Sequence, residues 1–179
     1  EQAVGETLCH DMTAILENGF KGVRFSRGHV IREEDIEVLR DMGKRHVFVW
    51  EPEADEVHED DAAAALVDVL IGEGISRSAP TEGKIGLNAL HDGLFLMNKP
   101  ALRGINSVGD YTVACRNGNT PVKAGDKLGG ARIVPLVTKR STVEQAVLIA
   151  RENAPVLSVL PYKPLKTAVI ITGNEVYEG

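Results

Sequence analysis

The sequence predicts a mixed α+β chain, and three observations carry that reading. Apolar residues recur at helical spacing within 32–42, 55–71 and 142–153. Residues 75–140 instead break into short β-like runs punctuated by turn residues. Near the end, Lys166-Thr-Ala-Val-Ile-Ile-Thr172 is a continuous apolar run of the kind found in strands buried on both faces.

The elements follow in order. Leu8, His10 and Met12 alternate with Cys9, Asp11 and Thr13, which predicts a strand. A glycine-containing connector, 18–22, leads to β-like Val23 to Phe25. Ile36, Leu39 and Met42 then fall on one helical face. Glu33, Glu34 and Asp35 suit the positive end of that helix, and Gly43 suits its end. His46-Val-Phe-Val-Trp50 reads as a strand. Residues 1–52 are therefore expected to form a small α+β unit.

Pro52 interrupts the pattern. A helix is expected from Asp55 to Ile71, with Ala62, Ala65, Leu66, Val69 and Leu70 as its apolar stripe and Gly72 as its stop. Strands are expected at 84–90, 93–97, 111–116 and 132–137. Asn117-Gly118 is a hairpin signal between two of the β-like runs. Ser141-Thr-Val-Glu144 matches a capping box, so a helix is expected over 142–153. Pro155 closes it, Val156 to Leu160 reads as a strand, and Pro161 and Pro164 stiffen the connector. Residues 53–165 thus form a helix plus a β-rich unit. Residues 166–179 read as the first strand and turn of a truncated α/β domain.

Composition narrows the function classes. The 179 residues are 43% hydrophobic and 26% charged, which excludes a disordered tail or a fibre. Aromatics are 4%, so the core must be built from Val, Ile, Leu and Ala. Lys and Arg number 20 against 26 Asp and Glu, a net charge of -6. That balance argues against nucleic acid as a partner. No apolar run reaches the roughly 18–20 residues of a membrane-spanning helix, so no membrane partner is expected. Cys9 and Cys115 are too few for a disulfide framework and neither lies in a CxxC pair, which points to a cytoplasmic location.

Several clusters could carry chemistry. Cys9-His10-Asp11 places three ligand types in a row, but a strand sends His10 to the opposite face. A buried Cys beside a half-exposed His is the plainer reading. His58 and Asp61 would share a helix face and could contribute to a metal site; alternatively, 58–61 is a solvated acidic first turn. His91-Asp92-Gly93 could hold a general base, or simply reverse the chain between two strands. Lys123, Lys127, Arg132, Lys139 and Arg140 form a modest basic area, suited to an anion or to an ordinary charged rim. Gly129-Gly-Ala131 suits a close backbone approach. No complete catalytic constellation occurs within residues 1–165, and no resident metal is expected.

The terminal run carries a further signal. Ala168-Val-Ile-Ile-Thr-Gly-Asn-Glu175 resembles the Ile-Ser-Thr-Gly-Asp-Glu opening of the molybdopterin-binding domain in MoeA-type molybdenum cofactor proteins. The stretches 28–43 and 46–50, together with His58-Glu-Asp-Asp-Ala62, Leu90-His-Asp-Gly-Leu94 and Val134-Pro135, are similar to MoeA-related proteins. Residues 1–52 also resemble the SAF-type module of sialic acid synthase and antifreeze proteins, through Gly28, Val30-Ile31 and Glu34-Asp35-Ile36. The MoeA resemblance implies molybdopterin binding by Thr172, Gly173, Asn174 and Glu175, with Mg2+ support and molybdate insertion in the full-length protein. Asn174 departs from the family's Asp. The fragment itself is then expected to be inactive and without cofactor. Its partners would be a pterin ligand, met through the missing domain, and a second copy of the chain. The alternative, of a different class, is a non-catalytic small-molecule-binding or subunit-interaction module fused to a pterin-type domain.

Overall fold

The computed structural model describes residues 2–15, 19, 21–49, 53–170 and 172–179. The fold is mixed α+β, with five helices and eleven strands among the described residues. None of these helices is long and apolar enough to cross a membrane.

The first unit is built on an antiparallel hairpin, β1 (Met12–Ile15) with β2 (Lys21–Phe25), Ile15 facing Lys21. Single bridges join Thr7 to Val30 and Leu8 to Val49. The helix α1 (Asp35–Asp41) buries Leu39, which joins Leu8, Met12, Phe25 and Ile31 in a small core. Gly43 ends α1 as expected. Its φ of +73° is open to glycine, and the turn lets the Lys44 N–H bond back to the Leu39 carbonyl at 2.8 Å. The expected strand over 46–50 does not form among the described residues. Only Val47 packs on the core there, while Phe48 is 70% exposed, and Trp50 lies outside the described residues.

The second unit begins at β3 (Glu56–His58), which pairs with β10 (Val137–Lys139), His58 opposite Val137. This pairing shortens the expected helix, so α2 spans Glu59–Leu70. Its buried face is Ala62, Ala63, Leu66, Val67 and Leu70, rotated from the expected stripe so that Ala65 and Val69 sit at the edge. A four-stranded antiparallel sheet runs in the order β4 (Ile75–Arg77), β5 (Lys84–Ala89), β9 (Lys127–Ile133), β7 (Tyr111–Cys115). Alternation places Ile85, Leu87 and Ala89 inside. A three-stranded sheet runs β11 (Leu157–Pro161), β6 (Gly93–Met97), β8 (Thr120–Val122). The helix α4 (Arg140–Glu152) packs on α2 and on α3 (Lys99–Asn106).

Close approach does occur at Gly129, where an added β-carbon would lie 2.7 Å from the Cys115 Cα on the neighbouring strand. Three local expectations need correction. Asn117-Gly118 does not join a hairpin: β7 pairs with β9 and β8 with β6, so the chain crosses there from one sheet to the other. The Asn119 N–H donates to the Phe95 carbonyl at 2.8 Å and anchors that crossing. Ser141 is not the cap of α4, because the helix already begins at Arg140, whose N–H is taken by the Asp55 carbonyl at 2.7 Å. Finally, 162–170 forms no strand, and every residue in it is exposed. No described strand runs beside this segment to take its backbone N–H and C=O groups. A short helix, α5 (Asn174–Tyr177), follows.

Candidate functional site

The four residues singled out for the pterin lie in one turn. Gly173 flanks α5, and its carbonyl accepts from the N–H groups of Val176 and Tyr177 at 3.1 and 3.2 Å. The Glu175 side chain folds back over the glycine: a β-carbon added at Gly173 would stand 2.8 Å from its carboxyl carbon. Thr172, Asn174 and Glu175 are exposed, and Gly173 is half-buried. The Glu175 carboxylate lies over the backbone that an anion would approach. Among the described residues no group of three His, Cys, Asp or Glu could hold a metal.

His58 has a different task from metal binding. It caps α2, its Nδ1 accepting the Asp60 N–H at 3.2 Å. Its Nε2 donates to the Cys9 carbonyl at 2.6 Å. These partners assign the ring proton to Nε2. Burial pushes the His58 pKa down, with the Arg27 charge acting in the same sense, and keeps the imidazole neutral. Asp61 turns away to the Arg27 guanidinium at 3.2 Å, and Asp60 accepts from the Gly83 N–H at 2.9 Å. His58 and Asp61 therefore do not assemble a metal pair. They clasp the first unit to α2.

Cys9, His10 and Asp11 likewise diverge. The Cys9 thiol donates to the Phe48 carbonyl at 3.0 Å and lies 3.3 Å from His10 Nδ1, while Asp11 accepts from the Arg27 N–H at 2.7 Å. Burial pushes the thiol pKa up, which marks it as unreactive. Both cysteines are free. His91 Nδ1 donates to the Asp92 carbonyl at 3.0 Å, and the Asp92 carboxylate accepts from the Ala124 N–H at 2.8 Å. This is a chain reversal held by side-chain-to-backbone bonds. In the basic area, Lys139 pairs with Asp55 at 2.7 Å and Arg140 reaches the Ala54 carbonyl at 3.4 Å. These two cations tie β10 and α4 to the start of the second unit.

A concavity that the sequence pattern does not single out opens on the first unit. Its volume is about 950 Å³. Ile36, Leu39 and Val47 give it an apolar floor, and Lys44, Arg45 and His46 lie on its rim. Its one sequence signal is a basic run placed directly after the helix-stopping Gly43.

Residues 1–51 match a family model described as Domain of unknown function (DUF8806). No curated protein and no solved structure matches the chain. The matched stretch is the unit that carries the concavity.

Proposed function

We propose that residues 1–179 are the N-terminal region of a MoeA-like molybdopterin-binding protein, cytoplasmic, and engaged in molybdenum cofactor biosynthesis or handling. In this reading the 1–179 piece does not catalyse by itself. One observation supports it most. The segment that resembles the opening of the pterin domain exposes Leu165, Val169 and Ile170 at 83%, 81% and 86%. Side chains of that kind are normally buried in a folded strand, and burying each fully stabilises by about 1.5–3 kcal/mol. A segment with strand composition and no strand neighbour fits the first strand of a larger sheet, contributed by residues outside 1–179. Gly173 then occupies the turn at the carboxyl edge of that sheet, where α/β proteins bind ligands.

The test is calorimetric titration of molybdopterin into the 1–179 piece and into a form extended by a further α/β domain. The reading expects saturable heat in the extended form and none in the piece. It also expects no molybdate insertion by the piece. Binding or turnover by residues 1–179 alone would contradict it.

A further inference from the structure

We propose that the concavity on the first unit is a binding site for a small organic phosphate monoester with an apolar body. The proposal uses none of residues 162–179 and stands apart from the pterin reading.

The charges are the first argument. The chain carries -6 overall, yet Arg40, Lys44 and Arg45 line this concavity against one lining carboxylate, Glu6. Several basic side chains elsewhere are paired: Arg27 with Asp61, Arg32 with Glu34, Arg77 with Asp68, Arg116 with Asp126 and Lys139 with Asp55. Lys44, Arg45 and His46 make no ion pair with any described carboxylate. Cations gathered over an apolar, concave floor act through a lower local dielectric, which strengthens their pull on an anion.

The second argument is that the rim is held in place. Gly43 turns the chain at the end of α1, and the Lys44 N–H is bonded to the Leu39 carbonyl. Three residues on, Val47 packs into the small core, and Val49 bridges to Leu8. Lys44, Arg45 and His46 are therefore fixed at both ends rather than carried on a free loop.

The third argument is chemical fit. A phosphate monoester is close to a dianion at neutral pH, so it calls for more than one cation. The planar guanidinium of Arg45 can hold two phosphate oxygens at once, and Lys44 adds a point charge. Ile36, Leu39 and Val47 offer an apolar surface to the body of the ester, as small-molecule sites commonly do.

The experiment uses residues 1–179 at low ionic strength. Para-nitrophenyl phosphate, inorganic phosphate and para-nitrobenzoate are titrated separately, followed by calorimetry and phosphorus NMR line width. The ester should bind about tenfold more tightly than inorganic phosphate, because the ring adds apolar burial. It should also bind about tenfold more tightly than the benzoate, which carries a single charge. Replacing Lys44 and Arg45 together by Ala should weaken the ester about a hundredfold, roughly tenfold for each charge-assisted hydrogen bond removed. Arg45→Lys keeps the charge but removes the fork and should cost about fivefold. It is the deciding variant if the double change alters the circular dichroism spectrum. Absence of saturable binding, equal affinity for benzoate and ester, or unchanged affinity in the Arg45→Lys protein would each overturn the proposal.

Discussion

The imidazole Nε2 of His58 lies 2.6 Å from the carbonyl oxygen of Cys9, across 49 residues of sequence. One ring thus serves two segments at once. It caps the α2 N-terminus through Nδ1, and it takes up a carbonyl of the first unit through Nε2. His58→Ala removes both bonds and leaves a buried carbonyl unpaired. The expected loss is about 2–4 kcal/mol, combining a missing cap with a buried unsatisfied group. Urea unfolding followed by circular dichroism measures it; a loss under about 0.5 kcal/mol would show that the clasp is not needed.

The same ring sets a pH dependence. Its folded-state pKa lies below the ordinary value of 6.5, so the unfolded chain binds the proton more readily. The His58 contribution is therefore fully present above about pH 6.5 and declines as pH falls from there toward the folded pKa. Glu59 acts in the opposite sense, because burial, reinforced by the Asp60 charge, raises its pKa. Comparing wild type with His58→Ala isolates the histidine. The stability difference between them should shrink as pH is lowered from about 7 to 5. A constant difference would contradict the assignment of a buried neutral ring.

Gly129 lies where β9 meets β7, and an added β-carbon would stand 2.7 Å from both Cα and Cβ of Cys115. Neither strand can yield without disturbing the four-stranded sheet. Gly129→Ala should cost about 3 kcal/mol, the upper range for overpacking. Gly125→Ala is a useful contrast, since nothing lies within 4 Å there and the penalty comes from its φ of +84° alone. Thermal unfolding of the two variants should rank Gly129→Ala as the more severe.

Tyr111 is 2% exposed, and its hydroxyl donates to the Ala62 carbonyl in the first turn of α2 at 2.9 Å. This joins an edge strand to the central helix. Tyr111→Phe keeps the ring and removes that bond, so about 1 kcal/mol should be lost in denaturant unfolding. A loss above about 3 kcal/mol would mean that the ring itself had moved.

Much of the fold is legible in the sequence because its period is plain. Ile85, Leu87 and Ala89 alternate, and Ala62, Leu66 and Leu70 recur every fourth residue, so β5 and α2 can be read directly. The helix α3 is not legible in this way. It is eight residues long and contains Pro100 and Gly104, and its clearest sign is Asn98, whose side chain accepts the Ala101 N–H at 3.2 Å. The crossing at Asn117-Gly118 mimics a hairpin because a turn dipeptide does not say which strands it joins. The turn at Thr172 to Glu175 is contiguous in sequence, so its grouping needs no tertiary information. The concavity needs it: Glu6 is drawn to the rim by pairing of 7–8 with distant segments, which no local pattern announces.

The claim that residues 166–175 open a pterin-binding unit is tested most directly at Gly173. The measurement is molybdopterin affinity of the extended form with and without Gly173→Val, alongside the same pair made in residues 1–179. A valine there would crowd the Glu175 carboxyl, now 2.8 Å from the position of a β-carbon, and block backbone approach to a ligand. The account predicts that the extended form binds, that Gly173→Val weakens it at least about tenfold, and that neither version of 1–179 binds. Molybdopterin binding by residues 1–179, abolished by Gly173→Val, would contradict it and place a complete site within this chain.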